Sequence, residues 1–243
     1  MKDSADYPDS RRSFLRGAAA LAGVAVLLGP ARVWGAPPEK AQAPGEEKFA
    51  EVTATEDLMR EHGVLRRIML IYDELAARLA RGAQFPLTVL VEASDIIRRF
   101  IQDYHEKDEE NYLFPRFEKA GRLVDLVQVL RRQHEAGRKL IDRVKTLATA
   151  ESLPDRPAGL RLANDLQLFN RMYRPHAARE DTVLYPAFHD IVSAKEFDGI
   201  GDKFEDEEQR LFGKEGFERM VARVADLEKS LGLYELAQFT PKV

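Results

Sequence analysis

The sequence predicts an all-α protein whose main domain is an antiparallel up-and-down four-helix bundle, followed by two additional C-terminal helices. Four long segments repeat apolar residues at spacings of three and four, which indicates helices with one buried face. The connections between these segments are short, as in bundles whose consecutive helices run antiparallel. No segment shows the alternation of apolar and polar residues that is typical of strands.

Residues 1–36 are expected to be a signal peptide. The paired arginines Arg11 and Arg12 are followed by Ser-Phe-Leu and then by an uncharged run at residues 17–29, and small residues at Gly35 and Ala36 suit cleavage. The pattern resembles a twin-arginine signal, which implies export of the folded protein to the periplasm. An uncleaved membrane anchor is the alternative, although the run is short for a span. After cleavage we expect no stable membrane insertion.

Composition limits the partners and cofactors of the mature chain. Residues 37–52 are rich in Pro, Glu and Lys and are expected to form a disordered linker. Removal of residues 1–36, with five basic and three acidic residues, changes the formal charge from −4 to −6, so nucleic acid is not an expected partner. The chain has no cysteine, which excludes thiolate metal sites and iron–sulfur clusters. Any metal must be held by nitrogen and oxygen, a set that suits iron, manganese or zinc.

Helix one opens the predicted bundle, residues 53–192. Thr53 and Glu56 predict a capping box at its start, and Gly82 is expected to end it after Arg81. Its inward face is apolar except for one histidine, and comprises Leu58, His62, Leu65, Met69, Tyr72, Ala76 and Leu79.

Helix two begins at Pro86, which suits a first helical turn. Pro115 interrupts or kinks its end, and Gly121 closes it. Its inward face turns polar towards the end, and comprises Leu90, Ser94, Ile97, Ile101, His105, Glu109 and Tyr112.

Helices three and four repeat this arrangement. Helix three begins near Leu123, and residues 153–157 connect it to helix four. The inward face of helix three comprises Val127, Leu130, His134, Gly137, Ile141, Val144 and Ala148. That of helix four comprises Leu162, Leu166, Phe169, Tyr173, His176, Glu180, Val183 and Ala187.

A helical extension, residues 193–232, follows the bundle. Two helices are expected at 194–212 and 214–231, separated by Gly213, with a loosely ordered tail at 233–243. The side chains expected to pack outside the bundle are Phe197, Ile200, Phe204, Leu211 and Phe212 in the first helix, and Phe217, Met220, Val221 and Leu227 in the second.

An internal repeat is the strongest functional signal. His105 is followed four residues later by Glu109 and then by Leu, an aromatic residue and Pro, and the pattern returns 71 residues later at His176 and Glu180. Residues four apart share one helix face, so each copy aims an imidazole and a carboxylate at one point. Each copy follows a helix with one inward histidine, 43 and 42 residues earlier.

Four of the five histidines therefore lie on predicted inward faces. A lone inward histidine is most often a hydrogen-bonded core imidazole, but four imidazoles and two carboxylates are costly to bury without a cation. The set is interpreted as a metal site formed by His62, His105, Glu109, His134, His176 and Glu180.

This pattern resembles the hemerythrin-like, or HHE cation-binding, domains, which are non-haem di-iron four-helix bundles. The resemblance covers residues 53–192 and implies two iron ions, although manganese or zinc remain possible. It implies that His62 and His105 bind one ion and that His134 and His176 bind the other. The two glutamates of the repeat would bridge the ions.

The sequence departs from the oxygen-carrying members of that family at two positions. They have a histidine where this chain has Arg138, and their last carboxylate lies five residues after the fourth-helix histidine, where this chain has Asp181 beside Glu180. The set of four histidines and two glutamates is more similar to iron-sensing and iron-cluster-repair members. With six protein ligands, both ions would keep positions open to a small ligand.

Other polar residues near the motif have alternative interpretations. Glu106 is either an extra ligand to the ion held by His105 or, as we expect, a solvated charge. Asp181 and Glu110 occupy matching places in the repeat and are expected at the surface or behind the ligands. Arg66 and Arg138, each four residues after a histidine, either orient anions or form salt bridges with acids at the rim.

The remaining candidates are aromatic or isolated. Tyr72, Tyr112 and Tyr173 lie on inward faces and either reach the site or, as expected for aromatic residues, pack in the core. His189 has no counterpart in the first half and is expected on the surface.

The resemblance implies an exported di-iron protein that binds or reacts with oxygen, peroxide or nitric oxide. Whether it is an enzyme stays open, because a metal-binding or sensing module without turnover has the same ligands. A bare helical scaffold for a partner is the third hypothesis, which the inward polar set disfavours. The sequence indicates no particular protein partner.

Overall fold

The computed structural model describes residues 52–150 and 155–243, in which four long helices carry the four inward histidines. Helix α1 spans Ala54–Arg81 and α3 spans Val124–Leu147, while α2 covers residues 87–120 and α4 residues 156–188. The successive runs are Leu87–Ile96, Ile97–His105, Glu106–Asp108, Glu109–Leu113 and Phe114–Ala120 in α2, and Arg156–Arg179, Glu180–Leu184 and Tyr185–Phe188 in α4. The described residues contain no strand, which confirms the all-α prediction.

The predicted ends of α1 and α2 are confirmed. The Glu56 amide donates to the Thr53 hydroxyl at 3.3 Å and the Thr53 amide donates to the Glu56 carboxylate at 2.9 Å, which completes the capping box. Gly82 and Gly121 end the two helices in the left-handed conformation, with φ of 70° and 64°.

Three stretches of α2 and α4 are π-helical, which the sequence analysis did not predict. Ile97–His105, Glu109–Leu113 and Glu180–Leu184 hydrogen-bond five residues back, so each turn is wider than an α-helical turn. The two shorter stretches occupy matching places in the repeat. Each begins at the glutamate of a predicted ligand pair and ends two residues before a proline, Pro115 or Pro186.

Helices α1 and α3 both pack against α4, and α2 contacts α1 and α3. Two apolar clusters fill the interior of this arrangement. The larger is built around Ile68, Leu75 and Phe169, and the smaller around Phe114 and Phe188. The four histidines and two glutamates of the repeat belong to neither cluster, and form a buried polar layer that is bordered by members of both.

The two additional helices are confirmed as α5, Ala194–Phe212, and α6, Gly216–Leu231. α5 packs against α1, and α6 packs against both α1 and α2. The buried side chains of this extension include Phe197, Ile200, Phe204, Phe217, Met220, Val224 and Leu227. Leu211 was expected to pack but is 40% exposed, because it lies on the outer side of α5. A 3-10 turn, Leu236–Phe239, follows in the exposed tail.

The predicted signal peptide and nearly all of the predicted linker lie outside the described residues. Within the part of the chain that is described, no helix has both the length and the apolar content that a membrane span requires.

Candidate metal centre

Each of the four long helices contributes one histidine to the polar layer, and the exposed fraction of each is 3% or less. The Nε2 atoms of His62 and His105 are 3.1 Å apart, and those of His134 and His176 are 3.2 Å apart. The structure therefore brings the histidines together in the two pairs that the resemblance implied.

The two glutamates lie between these pairs and are fully buried. One oxygen of Glu180 is 3.4 Å from Nε2 of His62, and the other is 3.1 Å from Nε2 of His176. Oε2 of Glu109 is 3.8 Å from Nε2 of His105 and 3.4 Å from Nε2 of His134. Each carboxylate thus faces one histidine of both pairs, as a bridging ligand would.

Several of these oxygens have no hydrogen-bond donor. Both oxygens of Glu180 and Oε2 of Glu109 are buried without a hydrogen-bond partner among the described residues. A buried carboxylate oxygen without a donor is costly, whereas a cation between the carboxylates and the imidazoles compensates it. Donor atoms of Glu109, His134, His176 and Glu180 all lie within 4.8 Å of one another, so the residues present fit a metal ion.

The outer nitrogen of every imidazole is held by a hydrogen bond. The Nδ1 contacts are His62 with Asp181 at 2.7 Å, His105 with Glu61 at 2.8 Å, His134 with Glu110 at 3.1 Å and His176 with Gln133 at 2.9 Å. Such contacts orient metal-binding histidines and leave Nε2 as the donor to the metal. Asp181 and Glu110 therefore lie behind the ligands. Glu61 and Gln133, which sequence reasoning missed, each directly precede a histidine in matching places.

Two arginines form salt bridges with carboxylates that contact the outer nitrogens of the imidazoles. Arg66 forms a salt bridge with Asp181, and Arg138 donates to Glu110 at 2.6 Å. The predicted rim salt bridges are thus present, and they reach further inward than expected because Arg138 also lies 2.8 Å from Glu106.

Glu106 was expected to be a solvated charge, but it is fully buried. Its carboxylate accepts a 2.6 Å hydrogen bond from the Tyr173 hydroxyl. It also groups with Glu110 and His134, so it lies beside His134 and not in the place expected for an extra ligand beside His105. A charge this deep is compensated by Arg138, which the spacing of the motif did not reveal.

The aromatic residue of each repeat stacks on a histidine of the other half. Tyr185 lies 5.7 Å from His62 and Phe114 lies 5.5 Å from His134, measured between ring centroids. The Tyr185 hydroxyl also donates to Oε1 of Glu109 at 2.8 Å. Sequence reasoning missed this contact, although the Leu-aromatic-Pro repeat was the signal for it.

The other candidates lie away from the centre. Tyr72 is buried with its hydroxyl 3.2 Å from Ser94, and Tyr112 packs against Phe204, so core packing is confirmed for both. Tyr173 differs because it reaches Glu106. His189 is exposed, as expected.

The pKa values in the polar layer reflect two opposing effects, which are burial and contacts between opposite charges. Burial lowers the pKa of His62, but the hydrogen bond with Asp181 and the nearby negative charge of Glu180 outweigh it and raise the pKa to about 9. Burial raises the pKa of Glu180, but His176 and His62 hold it well below its usual range. A proton on His62 therefore offsets part of the carboxylate charge in the protein alone, and a metal ion bound to the same nitrogen would displace it.

Three surface pockets of the described residues have linings that include none of the six predicted ligands. The pocket between α3 and α4, about 670 Å³, is lined by Asp142, Leu147 and Leu160, among others, and by none of the six predicted ligands. Burial of all six restricts the centre to ions and small ligands.

A helical protein that buries four imidazoles and two facing carboxylates, with carboxylate oxygens that lack donors, has the architecture of a metal-cation-binding protein. Residues 53–188 match the family model described as the hemerythrin HHE cation binding domain, and the chain belongs to that family.

The names of the similar proteins add no function to this family assignment. Uncharacterized proteins from Mycobacterium bovis and from two strains of Mycobacterium tuberculosis are each 49% identical to the chain over 244 residues, covering 99% of this chain and 94% of theirs. No solved structure shows a significant match to the chain.

Proposed function

We propose that this protein is an exported non-haem di-iron protein that binds or reacts with oxygen, peroxide or nitric oxide, with its four long helices in antiparallel up-and-down order. His62 and His105 would hold one iron, and His134 and His176 the other. Glu109 and Glu180 would bridge them. The paired arginines near the N-terminus support export to the periplasm.

One observation carries the proposal. Glu180 is fully buried, has no hydrogen-bond donor for either oxygen within the described residues, and directs one oxygen to each histidine pair. A single cation would leave one of these contacts unused, whereas two ions with a carboxylate between them use both. Manganese or zinc would suit the same nitrogen and oxygen donors.

When bound, a pair of iron ions supplies Lewis-acid and redox chemistry. The chain's own side chains would position the donor atoms and exclude bulk water from the site. The four Nδ1 contacts fix the imidazoles, the Tyr185 hydroxyl holds Oε1 of Glu109 and leaves Oε2 facing the histidines, and the apolar clusters exclude bulk water.

Arg138 would leave a coordination position of the ions open to a small ligand. A guanidinium is always protonated and offers no lone pair to a metal, and here it is occupied by Glu106 and Glu110. The six remaining protein donors do not complete the coordination of two ions, which leaves positions for a small exogenous ligand.

A metal-binding or sensing module without turnover is the alternative, and the burial of the centre favours it. None of the six predicted ligands is more than 3% exposed, so substrates larger than a few atoms have no access.

Peroxide consumption separates the two possibilities. We expect the iron-loaded protein to consume hydrogen peroxide and the Glu109→Ala variant to lose most of that activity, because Glu109 faces both histidine pairs. Glu207→Ala is the matched control, since Glu207 is partly exposed, lies outside the six predicted ligands and forms a salt bridge with Arg210. Peroxide consumption that survives in Glu109→Ala, or that is absent from the iron-loaded wild type, would favour the binding module.

A further inference from the structure

Three buried carboxylates outside the six predicted ligands lie close together. Asp57 and Glu61 are one turn apart on α1, and Glu208 lies on α5, which packs against α1. One oxygen from each of these three residues, the acidic cluster, lies within 4.8 Å of the other two, and none of the three is more than 7% exposed. Two oxygens bound to one Ca²⁺ lie at most about 5 Å apart, because each is about 2.3–2.6 Å from the ion. The spacing therefore allows one cation to bind all three.

A fourth carboxylate, that of Asp108 on α2, faces the acidic cluster. Asp108 is 2% exposed, and its Oδ2 atom is buried without a hydrogen-bond partner among the described residues. Burial and the negative charges of Glu61, Glu207 and Asp57 raise its pKa to about 9, so this side chain lies among acids. A buried carboxylate oxygen without a donor is rare in folded proteins and indicates a ligand that the protein does not supply.

The internal repeat does not account for these acids. The positions in α3 and α4 that match the acids of α1 and α2 carry an apolar, a neutral and a basic residue, namely Val129, Gln133 and Arg179. Glu208 belongs to the C-terminal extension, outside the repeat. The acids therefore occur in one half only, where α5 covers the bundle, and they have a role separate from the symmetric polar layer.

Two members of the acidic cluster are held in place by other contacts. Oε1 of Glu208 accepts a 2.8 Å hydrogen bond from the amide of Phe217 at the start of α6. Gly216 leaves room for this contact, since a Cβ atom there would lie 2.7 Å from the same oxygen. Glu61 is held on its other side by Nδ1 of His105 at 2.8 Å. Donors that are already positioned bind a cation with little loss of side-chain freedom.

We propose that the acidic cluster and Asp108 bind a hard divalent cation of the Ca²⁺, Mg²⁺ or Mn²⁺ class, at a site separate from the six predicted ligands. A site of carboxylate oxygens without nitrogen or sulfur donors suits these ions. Because Glu61 contacts both His105 and the other acids, the cation lies on the outer side of that imidazole. The inference does not depend on which metal the polar layer holds.

Calcium is the probe for this site, because it binds oxygen donors in preference to imidazole. Protein stripped of metal with a chelator, and then freed of the chelator, is titrated with Ca²⁺ by calorimetry. Its melting temperature is measured with and without Ca²⁺. We expect one Ca²⁺ per chain and a higher melting temperature in its presence, since an ion that binds the folded chain stabilises it.

Asp108→Asn and Glu208→Gln are the test variants. Each is expected to weaken Ca²⁺ binding by about tenfold or more and to lose most of the rise in melting temperature, because each removes a charged ligand. Both substitutions keep the shape of the side chain, and glutamine keeps an oxygen that accepts the Phe217 amide. Asp165→Asn is the matched control, since Asp165 is buried to the same degree as Asp57, at 7% exposed, but pairs with Arg143.

His176→Ala separates this inference from the proposed function. It removes a predicted iron ligand and is expected to keep wild-type Ca²⁺ affinity, whereas loss of Ca²⁺ binding in this folded variant would place the ion in the polar layer and overturn the inference. A wild type whose melting temperature does not respond to Ca²⁺ would also overturn it, and would leave Arg60, 3.9 Å from Asp57, as a cation that offsets the cluster. Folded Asp108→Asn and Glu208→Gln variants with unchanged Ca²⁺ affinity would do the same.

Discussion

His62 shows how single residues set the chemistry of the centre. Its Nδ1 contacts Asp181, its Nε2 faces Glu180, and these carboxylates raise its pKa to about 9 in spite of burial. The folded chain thus holds this proton more tightly than an unfolded histidine of pKa 6.5 does. The resulting stability is complete below the unfolded pKa and is lost as the pH rises through the folded one.

Asp181→Asn tests this balance in protein stripped of metal with a chelator. We expect the melting temperature of the wild type to fall between about pH 6.5 and 9, and the fall to end at a lower pH in the variant, because one of the two carboxylates that raise the pKa of His62 is gone. Thermal unfolding across this range measures it. Asp190→Asn, an exposed acid paired with Arg122, is the control. Superimposable profiles for Asp181→Asn and wild type would show that His62 does not titrate in this way.

At the residue scale, the sequence predicted the members of the polar layer better than their surroundings. The predicted ligand set followed from the i, i+4 spacing within one helix and from the internal repeat. The contacts of Glu61, Glu106 and Tyr185 depend on rotamers and on which neighbouring helix lies opposite, and a single sequence does not encode these in its periodicity.

At the scale of elements, two π-helical turns begin at the two predicted glutamate ligands. The amide of Phe114 donates to the carbonyl of Glu109, and the amide of Tyr185 to that of Glu180, so each wide turn begins at a predicted ligand. A proline follows each turn. Its ring clashes with the carbonyl four residues back in a regular helix, and the wide turn relieves that clash.

The Pro115→Ala, Pro186→Ala double variant tests this coupling. Each substitution restores an amide donor, so the wide turns are expected to tighten, the free energy of unfolding to rise by roughly 1–3 kcal/mol and iron affinity to fall as Glu109 and Glu180 move. Denaturant unfolding and iron titration measure the two effects. Pro157→Ala, in the first turn of α4 where no amide donor is required, is the control. Iron affinity that stays unchanged in the double variant would contradict a role for the wide turns.

Element types and most ends were predictable, because caps and glycine stops are local signals. Thr53, Gly82 and Gly121 act as expected. The π-helical turns were not predictable, because the apolar pattern extends over a whole helix and one widened turn changes that pattern only slightly.

At the scale of the whole molecule, the polar layer is stable because apolar packing encloses it. One apolar cluster extends along α1–α4, and the other is completed by Phe197, Ile200 and Phe204 of α5. Desolvation by this packing strengthens each ionic contact in the layer and makes an unpaired charge costly. The extension was predictable from its apolar side chains, whereas the orientation of Leu211 was not, because it depends on where α5 docks.

Anaerobic titration with ferrous iron, followed by measurement of the iron bound per chain, tests the di-iron centre most directly. The account predicts two irons per chain in the wild type, and no more than one in His62→Ala and in His176→Ala, because each removes a ligand of a different histidine pair. His189→Ala, the exposed histidine, is expected to keep both irons. A wild-type chain that binds no iron, or His62→Ala and His176→Ala variants that bind as much as wild type, would contradict it.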